Sequence, residues 1–228
     1  MKLEVYDDAD SVAQMAAGII AADARAAAGV RGKYALAVSG GHTPWIMLRA
    51  LANEDVPWPA VHLYQVDERV APDGDPDRNL THLRESLLQH APLPPQQVHA
   101  MPVDSGDLQA AAGQYALALQ DIVGSPPMLD VVHLGLGPDG HTASLVPGDP
   151  VLKITDADVG VTGAYQGRKR MTLTYPAINR ARRLIWVVTG GEKVEMLGRL
   201  LDGDQSIPAG RVRREQALVL ADRAAAGK

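Results

Sequence analysis

The stretch LDVVHLGLGPDGHTASLVP, from Leu129 to Pro147, constrains the fold most. Its first part, Leu129 to Leu136, is apolar except for Asp130, His133 and Gly135. A short Val- and Leu-rich run closed by turn residues predicts a strand buried on both faces, as in a parallel sheet. The run breaks into Gly135, Gly137, Pro138 and Gly140. Such glycines allow positive φ and let a ligand approach the main chain closely. Asp139 and His141 lie within the break, on either side of Gly140. In an open α/β sheet, the loop leaving the carboxyl end of a strand is where ligands bind. A histidine there, with a carboxylate beside it, is a candidate general base. The alternative is a polar turn whose side chains are merely solvated.

Related units flank this one. Residues 2–6 predict a first strand, and Ser11 with Gln14 predicts a capping box for a helix with Val12, Met15, Ala16, Ile19 and Ile20 inward. Gly29 and Gly32 end it. Tyr34 to Val38 predicts a second strand, running into Ser39, Gly40, Gly41, His42, Thr43 and Pro44 before an amphipathic stretch from Trp45 to Leu51. A strand, a Gly-rich turn and a helix form the layout that binds phosphate, because first-turn amides lack partners and the helix dipole favours an anion. Pro44 suits the first turn, and Ser39 and Thr43 can add hydroxyl donors. The G-K-[ST] of a nucleotide-binding loop is missing. A tight turn without ligand is the alternative.

Val61 to Val66 predicts a third strand, ending in Asp67, Glu68 and Arg69. Arg69 either pairs with Asp67 or takes an anion. A Pro/Asp/Gly-rich loop leads to Asn79 and a helix with Leu80, Leu83, Leu87 and Leu88 on its apolar face. A short strand is expected over His99 to Val103, and Leu108, Ala112, Tyr115, Leu119 and Ile122 mark one face of a long helix. His99 and His133 read as core or edge histidines. Residues 149–169 read as a loop with an edge strand over 158–164. Arg168, Lys169 and Arg170 form a cationic cluster before a strand from Met171 to Tyr175. Leu184 to Thr189 is a further strand, followed by Gly190, Gly191 and Lys193 at the start of a helix with Val194, Leu197 and Leu201 inward. A final strand runs from Ala217 to Leu220, and the tail from Ala224 is expected to fray.

Composition narrows the chemistry. The 228 residues suit one α/β domain better than two. A net charge of −5 argues against nucleic acid or an anionic membrane as the main partner, although local cations still decide small-anion binding. The chain has no cysteine, which excludes disulfides, thiolate metal sites and a Cys nucleophile. None of the seven histidines has the H-x-x-x-H spacing of a helical metal pair, so no metal is expected. The opening MKLEVYDDAD has no signal-peptide core and no apolar run spans a bilayer, so a cytoplasmic protein is expected.

Alternating strands and helices predict a single α/β domain over residues 1–228, with a mainly parallel, Rossmann-like sheet flanked by helices. Loops 39–44, 67–69, 135–144 and 190–193 would then share one rim. They would supply anion-binding amides, several cations and an Asp/His pair. Such a rim suits a small phosphorylated substrate and acid–base chemistry with no cofactor.

At this point the chain resembles the glucosamine-6-phosphate isomerase/6-phosphogluconolactonase family. The resemblance is carried by SGGHTP at 39–44, VDER at 66–69, the Asn79 loop, GLGPDGHTASLVPG at 135–148, RMTLTYPAIN at 170–179, GGEK at 190–193 and IPAG at 207–210. These motifs span nearly the whole chain in the family's order. Val146 stands where the family pattern has Phe, and His42 where a small polar residue is common. The resemblance implies a sugar-phosphate isomerase/deaminase-like fold. It also implies hydrolysis of 6-phospho-D-glucono-1,5-lactone to 6-phosphogluconate in the oxidative pentose phosphate pathway. His141 would be the general base, since an imidazole titrates near about 6.5. Asp139 would orient it or the water, and Arg69 with loop amides would stabilise the oxyanion. Ser39, Gly40, Gly41, Thr43, Asp67, Asn79, Gly137, Arg170 and Lys193 would bind the substrate and its phosphate. The expected partner is this small-molecule lactone, with no nucleic acid or membrane, and the protein a monomer or small homo-oligomer.

Two other readings use the same residues. An aminosugar-phosphate deaminase/isomerase is disfavoured because Thr142, Ala143, Ser144 and Leu145 follow His141, not the I-A-F-N-E-P type of continuation. A non-catalytic sugar-phosphate sensor ranks last, because sensors append a DNA-binding or partner domain for which no segment is expected here.

Overall fold

The computed structural model describes residues 1–228. The chain runs through β1 (Lys2–Tyr6), α1 (Ala9–Arg31), β2 (Tyr34–Val38), α2 (His42–Leu51), β3 (Val61–Gln65), β4 (Asp67–Arg69), α3 (Asn79–Leu83) and β5 (Val98–His99). It continues through α4 (Leu108–Val123), β6 (Val131–Leu134), β7 (Val159–Val161), β8 (Arg170–Leu173), α5 (Tyr175–Arg180), β9 (Arg183–Val188), α6 (Val194–Asp202) and β10 (Ala217–Asp222). Seven strands form one parallel sheet in the order β1-β10-β9-β6-β2-β3-β5. From β2 the chain winds outward to β3 and β5. From β6 it winds the other way, to β9 and β10. The switch between β2 and β6 parts their following loops and opens a crevice at the carboxyl ends of the strands.

Strand alternation sends side chains into two separate cores. Tyr34, Leu36 and Val38 of β2 pack with the helices α1, α2 and α3 on one face, whereas Ala35 and Ala37 face the other. That second face is covered by α4, α5, α6 and a small sheet of order β4-β8-β7, whose strands are antiparallel. This second sheet was not foreseen. It begins where the chain turns at Val66, whose N–H bonds Val38 O at 2.9 Å and whose carbonyl accepts Leu173 N–H at 2.8 Å. The VDER charges therefore sit in β4, paired with β8, not in a strand-end turn.

Other boundaries move for local reasons. The cap of α1 is Asp8, whose carboxylate accepts Ser11 N–H at 2.8 Å, not Ser11 itself. The buried face of α1 is mostly alanine, Ala13, Ala16, Ala17, Ala21, Ala24 and Ala27 with Val12 and Ile20, while Met15 is 41% exposed. Gly32 ends it in the left-handed region at φ 70°. Helix α3 passes into a π-turn over Arg84–Leu88. The strand expected over 99–103 instead covers Val98 and His99, which pair with β3. Strand β8 stops at Leu173, because Tyr175–Pro176 opens α5 and proline suits a first helical turn. The tail is tied down: Asp222 Oδ1 accepts Ala225 N–H at 2.7 Å, and Ala225 is buried.

Candidate active site

The crevice at the switch point is a cleft of about 530 Å³. Its walls come from the loops after β2, β6 and β9, with β4 and β8 closing one side. Ser39, Gly40, Gly41, Thr43, Asp67, Arg69, Asn79, Gly137, His141, Arg170 and Lys193 all line it. Asp139 stands directly behind His141.

The imidazole is held from one side. Asp139 Oδ1 lies 2.5 Å from His141 Nδ1 and also accepts the His141 N–H at 3.1 Å. Nδ1 is therefore the protonated nitrogen, and Nε2, which no protein group bonds, keeps its lone pair. Gly137 lets this ring in, since a Cβ there would fall 2.1 Å from His141 Nδ1. Tyr165 donates its hydroxyl to Asp139 Oδ2 at 3.0 Å, so both carboxylate oxygens are occupied. Partial burial works to raise the Asp139 carboxyl, but its pairing with His141 and the hydrogen bonds from His141 and Tyr165 outweigh it and hold the group below the usual carboxylate range.

The cations line the same cleft. Arg69 was expected either to pair with Asp67 or to take an anion. It makes no ion pair, and its Nη1 donates to Asp77 O at 2.8 Å and to Asn79 Oδ1 at 3.1 Å. Asp67 instead accepts the Ser144 hydroxyl at 2.6 Å. Asn79 lies against Gly40, where a Cβ would come within 2.0 Å of Asn79 Oδ1. The expected cluster 168–170 splits. Arg168 pairs with Asp75 and Asp77, Lys169 is exposed, and only Arg170 turns into the cleft from β8, opposite Arg69 in register. Arg170 is 4% exposed, no carboxylate lies within ion-pair distance, and its Nε has no partner. Burial pulls its guanidinium below the usual range, with the charge of Arg69 adding to this and Asp67 opposing it. Lys193 contacts only Glu192, at 3.6 Å.

Two hydroxyls expected to face a ligand are used within the fold. Ser39 Oγ donates to His133 O at 3.0 Å, and its N–H reaches His133 Nδ1 at 3.3 Å. Thr43 Oγ1 lies 2.5 Å from Thr189 Oγ1, which joins the two strand–Gly–helix units across the cleft. The anion-attracting groups that stay free in the cleft are backbone amides and cations. Helix α2 follows its cap residue Gly41, φ 123°, with no side-chain cap; Pro44 has no N–H and Trp45 N–H bonds Gly41 O at 3.1 Å, so the first-turn amides left for a ligand are those of His42 and Thr43. No three His, Asp or Glu side chains are grouped so as to hold a metal ion.

Three further residues support the site: Glu68, which the sequence placed only within the VDER run, and Asp222 and Tyr165, for which it assigned no role. Glu68 is fully buried and faces away from the cleft. It accepts four hydrogen bonds at 2.8 Å, from Arg69 N–H, Asn79 N–H, Leu80 N–H and Gln65 Nε2. Asp222, at the end of β10, holds Gly190 N–H at 3.1 Å. Tyr165 gave no signal beyond lying in a loop.

Fold and site together define an α/β protein whose switch-point crevice holds a carboxylate-held imidazole together with unpaired arginines. The family model of glucosamine-6-phosphate isomerases/6-phosphogluconolactonase matches residues 7–220, and the chain belongs to this family. A 6-phosphogluconolactonase of Mycobacterium tuberculosis is 37% identical over 240 residues, covering 99% of this chain and 97% of the relative. One from Streptomyces coelicolor is 36% identical, covering 100% and 94%. The crystal structure of the Thermotoga maritima 6-phosphogluconolactonase superposes with a TM-score of 0.86 at 25% identity, covering 97% of this chain and 98% of that one. A monomeric glucosamine-6-phosphate deaminase shares the fold, with a TM-score of 0.86 at 20% identity over 100% and 99% of the two chains.

Proposed function

We propose that this chain hydrolyses 6-phospho-D-glucono-1,5-lactone to 6-phospho-D-gluconate, the lactonase step of the oxidative pentose phosphate pathway. The observation that carries the reading is the imidazole of His141. Its Nδ1 is fixed by a carboxylate with no oxygen to spare, and its Nε2 is unbonded in a cleft whose buried Arg170 and neighbouring Arg69 lack carboxylate partners. Relatives named 6-phosphogluconolactonase, at 36–37% identity over nearly the whole chain, support the choice of substrate.

The chemistry follows from these groups. Nε2 takes a proton from a water as the water oxygen attacks the lactone carbonyl carbon. The carbonyl electron pair moves to its oxygen, where Arg69 and loop amides stabilise the negative charge. As this intermediate collapses, the bond from the carbonyl carbon to the ring oxygen breaks, and the imidazolium returns its proton to that oxygen. Asp139 steadies the imidazolium between the two transfers. Arg170, Lys193 and the amides from Gly40 to Thr43 hold the phosphate. Asn79 and Asp67 shape the floor beneath the sugar.

Every step uses this chain's side chains and water, and the reading includes no cofactor. It takes residues 1–228 as one catalytic domain of a cytoplasmic enzyme, a monomer or small homo-oligomer with no nucleic-acid or membrane partner. A net charge of −5 supports the absence of a nucleic-acid partner, and no helix is long and apolar enough to cross a membrane.

A coupled assay with fresh lactone, corrected for spontaneous opening, tests the reading. The wild type accelerates hydrolysis, and His141→Asn lowers kcat about 10²–10⁴-fold with little change in KM. Ammonia release from glucosamine 6-phosphate in place of lactone turnover would reassign the site to the deaminase reaction. Sugar-phosphate binding without turnover would make it a sensor. Near-wild-type kcat in His141→Asn beside an inactive Asp139→Asn would make Asp139 the base.

A further inference from the structure

The loop between β7 and β8 ends in a two-residue hairpin. Tyr165 N–H bonds Arg168 O at 2.9 Å, and Arg168 N–H bonds Tyr165 O at 3.3 Å. Between them Gln166 and Gly167 take φ values of 51° and 80°, the pair of positive angles of a tight hairpin turn. This turn has no part in the larger core. What it does is deliver two side chains behind the cleft, against the residues that line it. Gln166 Oε1 accepts Arg170 Nη2 at 3.0 Å. Tyr165 donates to Asp139 Oδ2 at 3.0 Å, meets the His141 ring edge-on with centroids 5.5 Å apart, and lies beneath Arg170, whose Cζ is 4.9 Å from its ring centre.

One side chain thus touches both halves of the site. An Asp139 carboxylate held only by His141 could rotate about its Cβ–Cγ bond and let the imidazole follow. With Oδ2 fixed by the phenol, Oδ1 has one direction left, toward Nδ1. The phenol stays protonated, because burial and the Asp139 charge both raise it above its ordinary range, so it remains a donor. The ring face meanwhile supports a guanidinium that makes no ion pair.

We infer that Tyr165 is a positioning residue of the site, fixing the Asp139–His141 pair through its hydroxyl and orienting the anion-binding Arg170 through its ring. This rests on the reading of His141 as the base. The hydroxyl also draws charge from Asp139. Without it, the carboxylate would stabilise the imidazolium more strongly, and the acid limb of the pH–rate profile would move to higher pH. The other charged and titratable groups around the cleft are Arg170 from β8, Asp67 and Arg69 from β4, Glu192 and Lys193 after β9, Asp222 at the end of β10 and His42 at the start of α2. Tyr165→Phe, on which the pH comparison rests, keeps the ring and leaves all of them in place.

The test measures kcat, KM and the pH profile of kcat/KM for Tyr165→Phe, Tyr165→Ala and His141→Asn on fresh lactone, with folding of each variant checked by circular dichroism. Tyr165→Phe is expected to lose about tenfold in kcat, the scale of one hydrogen bond to a charged group. It should keep KM and show its acid limb at higher pH. Tyr165→Ala should add a several-fold rise in KM, since Arg170 loses its support. A wild-type kcat and pH profile in Tyr165→Phe, beside an inactive His141→Asn, would overturn this inference alone. Losses explained entirely by a smaller folded fraction would overturn it as well. Near-wild-type kcat in His141→Asn would overturn the reading of the base, and this inference with it.

Discussion

Replacing Glu68 with Gln tests whether the motif that carries Arg69 is held by one buried carboxylate. Oε1 accepts the N–H groups of Arg69 and Asn79, and Oε2 accepts Leu80 N–H and Gln65 Nε2, all at 2.8 Å. Arg78 Nε lies 3.4 Å from Oε2, with its side chain 2% exposed. A glutamine presents –NH₂ where one oxygen was, so two of the four donors meet another donor. Gln65 cannot turn its amide to compensate, because its Oε1 already accepts Met101 N–H at 2.9 Å. Hydrogen bonds to a charged group contribute about 1.5–3 kcal/mol each, and leaving buried donors unpaired removes most of that. Two such losses, with a weakened partner for Arg78, give an expected destabilisation of about 3–5 kcal/mol. For a chain of this length that lowers Tm by roughly 6–20 °C. Urea and thermal melts measure it. Asp73→Asn, which breaks the exposed Arg84–Asp73 pair, is the control and should leave the melt almost unchanged. A loss below about 1 kcal/mol for Glu68→Gln, with an unchanged m-value, would refute the reasoning, since a buried hub of four bonds cannot be that cheap to break.

Gly137→Ala drives a Cβ into the His141 ring, and the misplaced base is expected to cost about 10²-fold in kcat in the lactone assay. Wild-type kcat there would mean the ring does not work from this position. Lys193→Ala should raise KM for the lactone roughly tenfold through loss of a charged contact to phosphate. Unchanged KM and kcat/KM would leave Lys193 a structural residue only. His133, fully buried, is pushed down to about 3 by desolvation. Its folded value is below the unfolded one, so below about pH 6.5 the unfolded chain binds the extra proton and stability falls as pH falls. Urea melts between pH 6.5 and 5 should therefore show a slope of stability against pH that flattens in His133→Gln, approaching about 1.4 kcal/mol per pH unit at the acid end of that range. Identical slopes in the two proteins would show that His133 takes up a proton without unfolding.

The parts of the site that could be read from sequence are those where backbone geometry forces a residue type. Gly40 and Gly137 are glycine because Asn79 and His141 occupy the space a Cβ would need. The apolar run before the second of these is apolar because β6 is covered on both faces. Such constraints act on neighbouring residues and leave a local trace. The second sheet leaves almost none, since β4, β7 and β8 have only three or four residues each, too few for a periodic signal. Without that sheet, Arg168, Lys169 and Arg170 look alike, and only its pairing with β4 turns Arg170 inward. Glu68 looks like a surface charge until the amides of Asn79 and Leu80 are brought to it from ten or more residues away. In α1, large apolar residues drew attention away from the alanines that let the helix lie close to its neighbours.

Strand β10 lies between β1 and β9, so residues 217–222 form ladders with residues 2–6 on one side and 184–188 on the other. The first strand of the chain therefore has no sheet partner until residue 222 has been synthesised. Until then β1 and β9 both expose unpaired edges, the kind of surface through which chains stick to one another. The same strand ends in Asp222, which fixes Gly190 beside the cleft. Completion of the sheet and completion of the anion-binding rim are thus one event. A ribosome-stalled or proteolysed chain lacking residues 217–228 would carry every side chain proposed for catalysis and still have neither a closed sheet nor a finished site, which makes it a substrate for chaperones and proteases in place of a weaker enzyme.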